Sequence, residues 1–493
     1  MGTFRLPTTP TTWSLPLAGF GGAAVLVAAT SGLPLPSVVL LTVGLTGMGV
    51  VVLAWLGLGR YAADLPVREL YRIAAAWCAP LLLARPLFSG DLHSYLAQGV
   101  IAAEGVDPYR FGAAAALGTD SPVTQQVSEY WQNTPTPYGP VWVAISRTIA
   151  RVAGDNLPVT LLLNRLVELA GVVLVAWALP RLARRVGVAP GTALWLGLLN
   201  PLVLWHVVAG AHNDGLMVGL MLAGVELVLR GAAAPAGLVL LTVAANIKIV
   251  AAVAICCAGA ELARRSGRST WHGIVVLLGV LAGFAVLSAA IAAVSGLGLG
   301  WVGSLGASAQ LHSWLAPTNQ LGFLVGALGG AGLISAAISV AVRIGAVLGA
   351  VAGAAVLWAI FRGRLDPLAG LGLAFAAMVV TGPVVQPWYL LWAVLPLAAS
   401  LRTDRARRPL VVVSAVSAML LPPVGGGVLV LVAGYLGAAV PLAIMTGTRR
   451  FGPTWRPGWR TSESGRSGGS RPARPRSPRA SSGMTVTSSA PRT

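Results

Sequence analysis

The sequence predicts an all-α polytopic membrane protein, and three observations carry that expectation. Of its 493 residues, 56% are hydrophobic and only 10% charged, with a mean hydropathy of +0.78. Soluble domains carry about 25% charged residues, so a chain this poor in charge cannot coat a water-facing surface and needs lipid as solvent. Apolar runs long enough to cross about 30 Å of hydrocarbon recur along most of its length. Its arginines fall in clusters between those runs rather than evenly.

Taken in order, residues 1–13 form a short cytoplasmic N-terminus. The run near 14–33 is followed at once by another near 36–58, so it reads as a first span rather than a cleaved signal. Further spans are expected near 68–89, 158–180, 190–208, 213–230, 271–294, 333–361, 367–383, 388–401, 409–424 and 427–447. Residues 232–262 contain the polar step Asn246-Ile247-Lys248 and read as a hairpin of two short helices. The total is roughly 13 to 14 spans within a membrane domain covering 14–447. Beyond it, 448–493 carries ten Arg against one acid, Glu463, among Ser, Pro and Gly. This composition predicts a disordered basic tail. A cytoplasmic polybasic tail on anionic lipid explains it better than nucleic-acid binding, which is not expected. Cys78, Cys256 and Cys257 lie in apolar runs with neither disulfide nor zinc spacing.

With the N-terminus inside, every arginine cluster falls on the cytoplasmic side: Arg60, Arg68 and Arg72; Arg181, Arg184 and Arg185; Arg230; Arg264, Arg265 and Arg268; Arg362 and Arg364; Arg402, Arg405, Arg407 and Arg408. The other side gathers titratable groups. Its largest loop, 89–155, holds Asp91, Glu104, Asp107, Asp120, Glu129 and Asp155, six of the fifteen acids. His93, His206, His212 and His312 also fall at outer ends. Titratable groups gathered on one face point to a functional site there.

Several motifs stand on that face. In the stretch from Ser89 to Gly99, Asp91 directly follows a span and opens an amphipathic helix that carries His93, Tyr95 and Gln98. A carboxylate at the lipid–water boundary suits a general base, and an Asp there also suits a helix N-cap. Asp107-Pro108 is a turn signal, and the following Tyr109 and Arg110 either line a sugar or phosphate pocket or belong to an ordinary loop. The segment from Glu129 to Trp142, with Trp131 and Tyr138, joins aromatics, amides and three prolines ahead of an apolar helix near 140–153. That helix carries Arg147 and Arg151 and reads as interfacial or re-entrant. Aromatic faces and amides suit sugars; an interfacial aromatic belt is the rival explanation. His212, Asn213 and Asp214 form a polar knot between two spans, either a ligand site or a tight turn. Lys248 is the only lysine, against 33 arginines, and its point charge suits a phosphate if it does not snorkel to the surface. His312, Gln386 and Trp388 lie in two further outer loops, as phosphate or sugar ligands or, for Trp388, as an interfacial anchor.

There is no Walker, HExxH, GxSxG or CxxC motif, and no dinucleotide fingerprint in a strand context. A cytosolic nucleotide-sugar enzyme and an ATPase are therefore excluded. A transporter or flippase of a lipid-linked sugar remains as an alternative, as does a structural partner of a cell-wall complex. Transporters, however, place polar groups at the bilayer midplane within inverted repeats, and no repeat is visible here.

At these motifs the chain resembles the polyprenol-phosphate-mannose-dependent α-1,6-mannosyltransferases of high-GC Gram-positive bacteria, which belong to the GT-C membrane glycosyltransferases. The resemblance rests on Gly90-Asp91-Leu92-His93-Ser94-Tyr95 with Gln98-Gly99, Gly105-Val106-Asp107-Pro108-Tyr109, Trp131 with Thr136-Pro137-Tyr138-Gly139-Pro140, His212-Asn213-Asp214, and Lys248. It spans roughly 15–447. It implies a GT-C fold with amphipathic helices in the first outer loop. It also implies transfer of mannose, with inversion, from a polyprenyl-phosphate carrier to the α-1,6-mannan core of a lipoglycan at the outer face of the cell membrane. Asp91 would be the base. Lys248, His312 and Arg110 would meet the donor phosphate. His93, Tyr95, Gln98, Asp107, Tyr109, Trp131, Tyr138, His212, Asn213, Asp214, Gln386 and Trp388 would surround the sugars. No cofactor is implied. Many GT-C enzymes carry two adjacent acids where this chain has Asp91-Leu92, so a second acid would be Asp107 or Asp214, and a divalent metal stays an open alternative.

Overall fold

The computed structural model describes residues 11–267, 269–309 and 313–447. Among them the regular structure is helical throughout: α1 (Thr11–Thr30), α2 (Ser37–Leu58), α3 (Val67–Leu81), α4 (Asp91–Ala103), α5 (Ala113–Leu117), α6 (Pro122–Gln126), α7 (Glu129–Gln132), α8 (Pro140–Ala153), α9 (Leu157–Arg185), α10 (Pro190–Leu196), α11 (Asp214–Leu229), α12 (Ala234–Ala245), α13 (Ala252–Arg265), α14 (Thr270–Ser295), α15 (Gly300–Ala309), α16 (Pro317–Gly329), α17 (Ile334–Phe361), α18 (Pro367–Thr381), α19 (Leu390–Ser400), α20 (Asp404–Ala418) and α21 (Val428–Gly447). The tail 448–493, residues 1–10 and His312 lie outside the described residues.

Five helices are long and apolar enough to cross a membrane on length and composition: α2, α9, α14, the 31-residue stretch ending α17, and α21. Shorter apolar helices, among them Ala234–Ala245 and Pro367–Thr381, account for further hydrophobic runs. The chain is thus an all-α polytopic membrane protein. Large apolar side chains stand exposed on its outside, as at Val286 and Val347, where lipid replaces a protein partner. Helix pairs approach closely through glycine. A Cβ on Gly22 would lie 2.7 Å from Gly47 O, and one on Gly171 would lie 2.3 Å from the Gly215 backbone. Small residues at helix contacts are the usual means of packing where lipid gives no hydrophobic drive.

Several runs are not simple spans. The run expected at 68–89 is helical only to Leu81; Pro80 sits at its end, and an irregular stretch leads on to Asp91. The run expected at 190–208 breaks after α10. Asn200 precedes Pro201, and its side chain accepts from Leu202 N–H (3.0 Å) and donates to Leu196 O and Ser414 Oγ. A π-helical turn, Val203–Ala209, follows and meets α11 at 111° across a four-residue break. The hairpin expected at 232–262 is α12 and α13, with Lys248 in the turn between them. The helix expected at 140–153 is α8. Two helices, α15 and α16, stand where only an outer loop was expected; their Gly-rich apolar sequences resemble the loops around them.

The arginine-bearing ends gather at one end of the bundle. Arg402 Nε donates to Val186 O (2.6 Å), Arg185 pairs with Glu226 (2.7 Å), and Arg265 reaches Leu229 O (3.3 Å). The polar turns carrying Asp91, His212 and Lys248 gather elsewhere, around one another.

Candidate active site

Asp91 is the first residue of α4, and it does not cap the helix: Gly90 holds the cap position, and no side chain caps there. Its carboxylate instead lies 3.2 Å from His212 Nδ1 and accepts from Ser89 Oγ (2.7 Å). The side chain is 24% exposed, against 0% for His212, so the carboxylate keeps one open approach. Burial pushes the Asp91 carboxyl up, but the His212 imidazole beside it and the Ser89 hydroxyl outweigh it and hold the group below its ordinary range.

Backbone geometry marks the same place. Among the described residues, the non-glycine residues with left-handed backbone are Phe88 (φ 69°) and Ala211 (φ 52°). One precedes Asp91 by three residues and the other directly precedes His212. Such conformations cost free energy and cluster at functional sites.

The polar knot continues into α11. Asp214, at its first position and 1% exposed, accepts from Lys248 Nζ through both oxygens (3.1 and 2.9 Å) and from Trp392 Nε1 (2.6 Å). Lys248 therefore does not snorkel. Its ammonium also lies 4.8 Å from the Tyr389 ring centroid, 5.3 Å from that of Trp392 and 5.9 Å from that of Tyr138. Trp388 stacks on His212 at 4.0 Å and 25°. Tyr95, one turn after Asp91, meets Tyr138 edge-on (5.5 Å), and its hydroxyl accepts from Asn213 N–H (3.4 Å). Asn213 is fully buried, and among the described residues neither its Oδ1 nor its Nδ2 has a partner. Gln98, a further turn along α4, has a buried Oε1 without one.

The loop bearing Tyr138 docks on the lysine turn through its backbone. Gly139 N–H donates to Ile247 O and Val141 N–H to Asn246 O, both at 3.1 Å. A Cβ on Gly139 would stand 2.2 Å from Asn246 O, so only glycine permits this approach.

Asp91, Tyr95, Tyr138, His212, Asn213, Asp214, Lys248 and Trp388 thus come together. The other expected site residues among those described make other contacts. His93 turns toward Gln126, and burial lowers its imidazole's proton affinity more than that bond raises it. Asp107 closes a turn by accepting from Tyr109 N–H (2.9 Å). Tyr109 packs with Val143 and Trp301, and Trp131 with Ala97 and Val127, in two satellite clusters. Arg110 is exposed, its guanidinium over Phe111 at 5.4 Å. Gln386 contributes its carbonyl to the turn before α19, accepting from Tyr389 N–H (2.9 Å). His312 lies outside the described residues. Ser89, Tyr389 and Trp392 belong to the site and were not singled out as ligands. The spacing of Trp392, four residues after Trp388, was the available signal. No group of three His, Cys, Asp or Glu side chains that could hold a metal exists among the described residues.

An all-α membrane bundle that gathers an accessible carboxylate, imidazoles and a paired lysine at one polar break has the frame of a membrane-embedded transferase. Comparison with known proteins makes this particular. Residues 12–264 match the family described as alpha-(1->6)-mannopyranosyltransferase, N-terminal domain, and residues 316–448 match the MptB C-terminal domain. A probable alpha-(1->6)-mannopyranosyltransferase of Mycolicibacterium smegmatis is 37% identical over 457 residues, covering 85% of this chain and 81% of the relative. An alpha-(1->6)-mannopyranosyltransferase of Mycobacterium tuberculosis is 38% identical over 448 residues (78% and 74%). Alpha-(1->6)-mannopyranosyltransferase B of Corynebacterium glutamicum is 33% identical over 388 residues (72% and 64%). No solved structure matches. The chain belongs to the alpha-(1->6)-mannopyranosyltransferase family, and it is a mannosyltransferase rather than a transporter or a scaffold.

Proposed function

We propose that this enzyme moves mannose from a polyprenyl-phosphate carrier to the 6-hydroxyl of an α-1,6-mannan acceptor of a cell-envelope lipoglycan. The reaction inverts the anomeric centre, with Asp91 as general base. The observation that carries this reading is the Asp91 carboxylate, held between Ser89 and His212 yet open on one side. A sugar hydroxyl is a poor nucleophile and needs a carboxylate within hydrogen-bond reach as it attacks. The acceptor proton passes to Asp91 while the bond from the anomeric carbon to the phosphate oxygen breaks. Lys248 gives two of its ammonium hydrogens to Asp214 and keeps a third for the departing phosphate, whose growing charge it stabilises. The buried amide of Asn213, unpaired among the described residues, supports a polar ligand at this break.

A second feature supports a lipid-linked donor. A furrow of about 690 Å³ runs between α8, α9 and α14, lined by Pro140, Val141, Ala144, Val167, Leu287 and Ile291 among others. It starts at the residue after Gly139, next to the loop that brings Tyr138 to Lys248, and its lining is almost wholly apolar. An isoprenoid tail fits there with its phosphate toward Lys248. The positive-inside rule favours a cytoplasmic side for the arginine-rich end of the bundle, and this supports a site on the extracytoplasmic face of the cell membrane.

The test is a membrane assay with radiolabelled polyprenyl-phosphate-mannose and short α-1,6-mannosides. Asp91→Asn should lower transfer by about a hundred- to ten-thousand-fold while donor binding persists. Transfer at the wild-type rate by that variant would remove Asp91 from the mechanism.

A further inference from the structure

One turn of α9 carries two ionisable side chains that the site just described does not use, although both are buried in a membrane helix. Arg165 is 5% exposed and Glu168 1%. Ionisable groups at such a depth are costly unless they serve a partner.

Arg165 has no carboxylate partner among the described residues. Its guanidinium donates to three backbone carbonyls: Leu82 O and Ala84 O, each at 2.6 Å, and Ala209 O at 3.0 Å. These oxygens come from two helix ends. Leu82 and Ala84 follow the end of α3, and Ala209 closes the π-helical turn. Helix C-termini leave carbonyls without amide partners and carry partial negative charge, so a planar cation with several donors suits both. Glu168 does the converse. Its Oε2 accepts from Leu216 N–H (2.9 Å), in the first turn of α11, where the partial charge is positive.

The two segments tied by Arg165 lead directly to Asp91 and to His212. They also touch beyond it: a Cβ on Gly210 would lie 3.1 Å from both Leu87 O and His212 Cδ2. The left-handed residues Phe88 and Ala211 lie just past the two tethered points. We infer that Arg165, with Glu168 holding the far side of the break, is a positioning residue that sets the register between the Asp91 segment and the His212 segment. It acts through their backbones and touches neither substrate nor Asp91. The inference rests on the transferase reading above.

The experiment compares wild type, Arg165→Lys and Arg165→Gln in the membrane assay across pH, with folding followed by gel filtration and thermal unfolding. The groups facing Asp91 are His212 and His206 from the broken segment, Lys248 from its turn, Tyr95 from α4, Tyr138 from its loop and Tyr389 from the turn before α19. Of these, the contact to His212 is the one the register controls. Folded variants should lose about a hundredfold in kcat, as expected for a misplacement near 1 Å, with KM for the donor held. Their acid limb should move to higher pH as Asp91 loses His212. A folded variant with the wild-type acid limb and kcat overturns the inference. Should neither variant fold, Gly210→Ala leaves Arg165 in place and crowds Leu87 O of one segment together with His206 O and the His212 ring of the other. The same upward move of the acid limb then supports the register, and an unchanged limb overturns it. If wild type itself transfers no mannose, the transferase reading fails instead, and the two failures stay distinct.

Discussion

At the scale of the residue, the site couples two acids with different tasks. Asp91 is kept available as a base, whereas Asp214 is fully committed to Lys248 and Trp392. Because the Asp91 carboxyl is held below its ordinary range, the ionised base is present from mildly acidic to neutral pH and is lost only as pH falls through that depressed value. A kcat–pH profile should therefore stay flat into mild acid, and His212→Gln should shift its acid limb to higher pH. The Lys248–Asp214 pair behaves differently. Lys248→Met strands a buried carboxylate and should cost about 3–5 kcal/mol, read as a lower unfolding temperature in detergent. Lys248→Met combined with Asp214→Leu should recover much of that loss, since an apolar replacement of both partners removes the stranded charge. Asp91, Asp214 and Lys248 were legible from sequence as polar groups where apolar ones were expected. Their pairing was not, because it joins positions far apart in the chain. Arg110 and Asp107 carried the same kind of signal and stand exposed at a turn: a charge in a loop has water as partner, so its presence there is weak evidence of function.

At the scale of the element, the working parts are interruptions rather than helices. Asp91, His212, Lys248 and Trp388 all stand where a helix begins, breaks or turns. The long spans α2, α9, α14 and α21 were readable because unbroken hydrophobicity has no other stable outcome in lipid. The end of α3 at Leu81 and the break after α10 were not, although Pro80, Asn200 and Pro201 mark them, because proline is tolerated within membrane helices and hydropathy averages over it. The docking of the Tyr138 loop on the lysine turn gives a direct check. Gly139→Ala places a methyl group against the Asn246 backbone, which cannot yield as a side chain does. It should lower stability by about 1–3 kcal/mol and reduce transfer more than a comparable substitution at Gly283, where a Cβ meets nothing within 4 Å. Thermal unfolding and the transfer assay on both variants decide this.

At the scale of the whole molecule, charge and hydrophobicity are sorted along one axis. The clustered arginines and their glutamate partners collect at one end, and the polar break lies apart from them. This sorting was legible from the sequence, because lipid imposes it on every loop in turn. The furrow between α8, α9 and α14 was not legible, since its lining residues are ordinary apolar ones whose only distinction is the space left between them. If that space houses the carrier's tail, Ala144→Trp or Ala290→Trp should raise KM for a long-chain donor. KM for a short-chain analogue should stay near wild type, measured in the same detergent. Equal effects on both donors would place the tail elsewhere.

The solitary lysine gives the sequence a built-in chemical handle. Acylating reagents attack the neutral amine, and Lys248 is the single ε-amino group they can find. Pinned between both oxygens of Asp214 and 13% exposed, it should resist labelling in the intact protein and become reactive in Asp214→Asn. The adduct mass, read by spectrometry on one peptide, would then report whether the central ion pair is closed, without a fluorophore or an added cysteine.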